Sequence, residues 1–362
     1  MKADWCGFGA AEYDRQMAVI IERAQARTDM VGVEAVAEMK QSPGAEVVEE
    51  AVESVRRRWV QALMRRGDPR SAAVAAFLGG DDEDRAVAQA RLQALARTAS
   101  DPMVTALALQ RPCAVGGCTN IEASQWSRLE PANLQAWLTL MRSPGGGVNP
   151  SLNGYALERM ASEARYSRTY EREFKAVLLS LPQSDAPGLS NLAEMQLILG
   201  TAAAWAMPGL APLSQSCRAG LADPATRYHC EVLADRLWEQ DTLLDRAFAI
   251  GIARRVIALH PDRRARWEAR AQRYEAAISW RNAAVEGLDL NPSPEESPCG
   301  GQVEMRQALR GMTAQGEWDH LRAEMRSAGA DDATLSARFR QAGGRSVLDP
   351  ESGLAAASTA SR

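Results

Sequence analysis

Lysine and histidine are nearly missing from this chain of 362 residues. Lys2, Lys40 and Lys175 are its lysines, and His229, His260 and His320 its histidines. Almost all of the 42 basic side chains are therefore arginine, which with abundant alanine marks a GC-rich coding sequence and points to a bacterial source. No lysine stands in a Gly-x-x-x-x-Gly-Lys-Ser/Thr loop, so a P-loop nucleotide machine is excluded. The histidines offer little to a hydrolase triad. His260 precedes Pro261 at a helix end, where it meets terminal carbonyls. His320 follows Trp318-Asp319 on a surface helix. His229 adjoins Cys230, but neighbouring helix residues diverge by about 100° and cannot form a dyad. Also missing are His-Glu-x-x-His, Gly-x-Ser-x-Gly and a Gly-x-Gly-x-x-Gly loop after a strand, and no cofactor or metal signature takes their place. Long apolar runs are absent too. The longest uncharged stretch, Met195 to Cys217, is broken by Pro208 and Pro212, so no membrane span is expected. A net charge of -4 argues against a protein that coats nucleic acid.

Strand-like alternation between turn pairs is likewise missing, and what replaces it is helical periodicity. From Ala45 to Arg66, Val48, Val52, Val55, Trp59 and Leu63 recur at steps of three and four. Glutamates lie near the start of this segment, and Arg65 and Arg66 precede Gly67, so both ends suit the helix dipole. Asp68-Pro69, Asp101-Pro102 and Asp223-Pro224 predict three helix starts, with Asp capping and Pro in the first turn. Asp81-Asp82-Glu83-Asp84 reads as an acidic helix start, since it lacks the spacing of a calcium loop. The expected fold is all-α: about sixteen helices in antiparallel pairs, forming a solenoid-like or irregular helical-repeat array. Proline and glycine clusters divide it into an N-terminal helical region (1–142), a linker (143–151), a C-terminal helical region (152–290), a proline-rich linker (291–301), terminal helices (302–345) and a frayed tail (346–362).

Two junctions resemble those of tetratricopeptide-type helical repeats. Leu129-Glu130-Pro131 is followed six residues after the proline by Trp137, and Leu259-His260-Pro261 in the same way by Trp267. In the second, Ala271 and Tyr274 stand where the pattern wants a small and a large residue. Pro144 and Arg270 depart from it, and the two prolines are not a whole number of repeats apart. The resemblance implies stacked helix pairs.

The six cysteines include two local couples, Cys113 with Cys118 and Cys217 with Cys230, and a distant one, Cys6 with Cys299. Disulfides, free buried thiols and, less well, a zinc site all fit such spacing. Bridged cysteines imply a periplasmic or secreted protein. The opening Met1-Lys2-Ala3-Asp4-Trp5 has no apolar signal core, so export requires that a signal has been removed, and a cytoplasmic location is the alternative. Between Arg254 and Arg273 lies an arginine-rich stretch. It makes Arg263, Arg264, Arg266, Arg270 and Arg273 candidate binding residues, although Trp267, Ala271, Tyr274, Ile278, Val285 and Leu288 fall on a helical stripe of core type. An acidic stretch from Glu34 to Glu53 offers a complement. The function expected is a non-catalytic protein-binding module, an adaptor or an inhibitor of immunity type, with a protein partner and no cofactor. The alternatives are an all-α hydrolase with a carboxylate pair in a cleft between the halves, which 46 acids do not single out, and nucleic-acid binding by the arginine helix.

Overall fold

The helical periodicity of the sequence is realised in a computed structural model that describes residues 43–79, 82–113, 117–141, 150–184, 189–203, 205, 210–286, 300–343 and 345–349. Among them are sixteen α-helices and no β-strand, so the chain is all-α. In chain order these are α1 (Pro43–Arg66), α2 (Pro69–Leu78), α3 (Asp82–Thr98), α4 (Pro102–Gln110), α5 (Ala123–Leu129), α6 (Leu134–Leu140), α7 (Pro150–Glu163) and α8 (Glu171–Leu179). There follow α9 (Leu189–Ala203), α10 (Leu210–Gly220), α11 (Pro224–Trp238), α12 (Leu243–Leu259), α13 (Arg264–Glu286), α14 (Gly300–Gln315), α15 (Glu317–Ser327) and α16 (Asp332–Gly343). None of the described helices is long and apolar enough to cross a membrane.

Local rules place the helix ends. Asp68, Asp101 and Asp223 each cap the helix that follows, accepting from the backbone N–H of Ser71, Met103 and Thr226 respectively, with proline in the first turn. Gly67 turns the chain between α1 and α2 at φ +73°, a left-handed conformation in which its missing Cβ avoids strain. His260 terminates α12, its N–H donating to the Val256 carbonyl.

The helices form two units built from interleaved segments of chain: 1–120, 171–205 and 290–310 in the first, and 121–170, 206–289 and 311–362 in the second. The sequence leads one to expect consecutive regions instead. Interleaving arises because packing partners are chosen by apolar faces, and some of these, such as α1 with α9, are far apart in sequence. In the first unit, α1 packs on α2 and α9, α2 on α3, and α8 on α9. Phe77, Phe174 and Trp205 meet with ring centroids 5.1–5.3 Å apart, so α2, α8 and the chain just beyond α9 share one aromatic cluster. Within this core Glu194 is fully buried. It accepts from Arg58 (2.6 Å), Arg306 (2.9 Å) and the Ser184 N–H (3.0 Å), and these donors compensate its charge.

In the second unit α11 packs on α7 and α12, and α13 on α12, α15 and α16. Its apolar core runs from Leu134 to Leu348 and takes in Cys217, Cys230, Trp238, Trp267 and Trp318. The first residues of the stretch expected to fray are held: Ser346 and Val347 donate to buried Glu275 (2.7 and 2.9 Å), and Leu348 has no exposed surface. The Gly/Pro segment 143–149, residues 291–299, the tail from 350, Cys6 and Cys299, and the acidic residues 34–42 lie outside the described residues.

Candidate functional site

Site geometry in the second unit begins at the Leu129-Glu130-Pro131 junction. Pro131 and the capping side chain of Asn133 separate α5 from α6, and the Trp137 indole returns to donate to the Pro131 carbonyl (2.7 Å). Glu130, between the two helices, is buried and accepts four hydrogen bonds. Trp126 Nε1 (2.8 Å) and Asn133 Nδ2 (2.9 Å) reach its Oε2, while the hydroxyls of Tyr166 (2.9 Å) and Tyr170 (2.7 Å) reach Oε1. Burial, then the bond to Glu130, raises both phenols, Tyr166 to about 12 and Tyr170 further, so both remain protonated donors at neutral pH. Tyr170 sits at φ 69°, a left-handed conformation tolerated because the hydroxyl–carboxylate bond and its Trp126 contact hold it there.

Asn133 extends the brace by bonding both backbone groups of Arg168 (2.9 and 2.8 Å). Gln135 then donates to the Ser167 hydroxyl (2.8 Å), which donates to Asp245 (3.1 Å), while the Ser167 N–H meets Gln240 (2.7 Å). Burial pushes the Asp245 carboxyl up to about 6 despite the bonds from Thr242 and Ser167. The segment 165–170, which has no helix of its own, is thereby fixed against α6 and α12.

On this brace stands a groove of about 740 Å³, lined by residues of α5, α6, α7 and their junctions. Trp137 and Leu140 from α6 and Leu152 and Tyr155 from α7 supply its apolar surface. Tyr155 is 52 % exposed and Leu152 37 %, so both present apolar surface to the hollow. The Trp137 and Tyr155 rings meet edge to face at 6.0 Å, with the Arg159 guanidinium 5.6 and 5.9 Å from their centroids. Arg128 and Arg165 complete the basic lining, and Glu163 is the acid among the lining residues.

The arginines singled out in the sequence are placed differently. Arg266 and Arg270 (2.6 Å) both pair with Asp235 on α11, and Arg264 pairs with Glu268 (2.7 Å) and Asp349 (2.8 Å). Arg263 stands 3.8 Å from Glu231, and Arg273 donates to the Ala269 carbonyl. For Arg263, Arg266 and Arg270 the acidic complement within this unit is thus α11. Arg270 also lies 4.6 Å over Trp267, and Arg246 sits between Trp238 (4.8 Å) and Trp318 (3.9 Å), its guanidinium lowered to about 10 by burial. All three indoles are buried, so this arginine–aromatic interleaving faces inward. Trp267 has little open space beside it, whereas Trp137 borders the groove, so the two repeat-like junctions end differently.

Cys113 and Cys118 (Cα–Cα 5.5 Å) and Cys217 and Cys230 (5.7 Å) stand at disulfide distance, compatible with an oxidising compartment. Among the described residues no group of three or more His, Cys, Asp or Glu converges as a metal site would. Sequence inspection singles out Pro131 and Trp137 but misses Leu152, Tyr155 and Arg159, which carry no motif. Glu130 has a faint signal, a Trp four residues before it and an Asn three after, within reach of one carboxylate across a helix end. No family model, curated protein or solved structure matches the chain.

Proposed function

We propose that the protein is a non-catalytic protein-interaction module of a bacterium, working in the periplasm or outside the cell and capturing a partner segment in the groove between α5, α6 and α7. The observation that carries this is the exposure of Tyr155 and Leu152 beside Trp137 in a hollow whose backbone is locked by Glu130 and Asn133. Preorganised apolar surface binds without the cost of ordering it first, which is what a docking site needs. The resemblance of the Leu129–Trp137 junction to tetratricopeptide-type repeats agrees, since stacked helix pairs expose such grooves. Among the described residues the buried acids Glu130, Glu194 and Glu275 each accept hydrogen bonds from their own donors, which favours binding over carboxylate catalysis.

A photo-crosslinking residue placed at Tyr155 tests this in cells of the source bacterium. A discrete protein adduct is expected there, absent when the probe replaces exposed Tyr228 and abolished when Leu152→Asp is added. Equal labelling from positions 155 and 228, or labelling indifferent to Leu152→Asp, removes the groove as a docking site.

A further inference from the structure

We infer that the occupant of the groove is an acidic segment of a partner protein, a bulky apolar side chain flanked by Asp or Glu; this rests on the docking role proposed above. The groove's charge carries it. Of the lining side chains three are arginines and one is an acid. Glu163 is taken by Arg159 one turn earlier on α7. Arg128 donates to the Ser124 hydroxyl (2.8 Å), and Arg165 to the carbonyls of Ser162 (2.9 Å) and Ala164 (3.0 Å). Both guanidiniums are exposed, and these partners are neutral, so their positive charge is not cancelled within the groove. Arg236 on α11, outside the lining, stands near Arg165: it donates to the Met160 carbonyl (2.6 Å) and is held below its ordinary value by burial and then by the charge of Arg165. A cationic rim around an apolar floor selects for a ligand of opposite charge and opposes one of like charge.

The same geometry favours a peptide over nucleic acid. Bases bind single-stranded sites by stacking on open ring faces. Here Trp137 and Leu140 are buried and the guanidinium of Arg159 stands over the Trp137 and Tyr155 rings, so the accessible apolar surface is that of Tyr155 and the flank of Leu152. A single exposed ring beside an aliphatic flank seats a leucine, methionine or phenylalanine side chain, whereas successive bases need successive open rings. Acids on either side of that anchor then reach Arg128 and Arg165, each able to take a carboxylate with two parallel N–H donors.

The test pans a random-peptide display library against the full oxidised chain, and then measures selected peptides, their Lys-for-acid counterparts and a labelled oligo-dT by fluorescence anisotropy. The expected result is enrichment of net-acidic peptides bearing a bulky apolar residue, with the lysine counterparts at least about tenfold weaker. The double substitution Arg128→Ala/Arg165→Ala, at exposed positions that leave the thermal melt unchanged, is expected to weaken the acidic peptides by at least about tenfold. Added salt is expected to act in the same direction. No enrichment, enrichment of neutral or basic peptides, tighter oligo-dT binding, or indifference to the double substitution each overturns the inference. Tyr155→Ala separates this failure from that of the docking role. Peptides of any charge that are lost in Tyr155→Ala leave the groove as the docking site and remove only its preference for acids, whereas peptides that ignore Tyr155→Ala remove both.

Discussion

Buried carboxylates are the residues on which this molecule's polar architecture turns, and the two in the second unit's brace behave oppositely. Glu130 has four donors and stays compensated. Removing one of them in Tyr170→Phe leaves the carboxylate short of a charge-assisted bond and releases the constraint on a left-handed residue. The expected loss is about 1.5–3 kcal/mol in urea unfolding, and Tyr166→Phe, at a more exposed position, is expected to lose less. Asp245 is poorly compensated, with a folded pKa near 6 against an ordinary 3.8. The folded state therefore holds a proton that the unfolded state has released between these values. The group's contribution to stability is greatest below about pH 4, falls as pH rises towards 6, and is constant above. Urea melts across that range are expected to show this decline in the parent chain and a flatter profile in Asp245→Asn. An unchanged slope in the variant would place the titration elsewhere.

Among elements, the two cysteine pairs do different mechanical work. Cys217 and Cys230 are fully buried and tie α10 to α11 across a 13-residue separation. The chain-entropy relation puts such a closure at about 3 kcal/mol, and the short Cys113–Cys118 loop at about 2 kcal/mol. Burial also shields the former from thiolate attack. Graded reductant followed by alkylation and intact-mass measurement is expected to open Cys113–Cys118 in the folded protein, while Cys217–Cys230 yields only on unfolding. Opening of both at the same reductant concentration would contradict the difference in burial. Helix starts were readable because Asp caps act over three residues, within the span a sequence pattern covers. Glu275 was not. It follows Tyr274 on a stripe with Trp267 and Ala271, and its bonds to Ser336, Arg340, Ser346 and Val347 reach 61 to 72 residues along the chain. Nothing in the neighbourhood of Glu275 announces those donors.

At the scale of the whole molecule, the all-α class follows from helical periodicity such as that of α1, whereas the division into units does not. A fragment ending at residue 142 contains α1 to α4 but lacks Phe174, Trp205 and Glu194, which complete their core. Expressed alone, it is expected to lack a cooperative thermal transition and to exchange its amide hydrogens without the protection of a closed core, as followed by circular dichroism and hydrogen exchange. A cooperative melt matching part of the parent's would show that 171–205 is dispensable. The groove was half legible for a related reason. Pro131 and Trp137 belong to a local junction pattern, while Leu152, Tyr155 and Arg159 arrive from beyond residues 142–149, and only three-dimensional packing brings them alongside.

The interleaved segments also set an order of events during synthesis. Unit one includes residues up to 310 and unit two buries Leu348, so neither core has its full set of residues until most of the chain has been made. The apolar faces that these last segments cover therefore stay open until the segments emerge, later than in a chain of consecutive domains. The described cysteine couples are the exception: separated by 5 and 13 residues, they can be joined as soon as each pair emerges into an oxidising space.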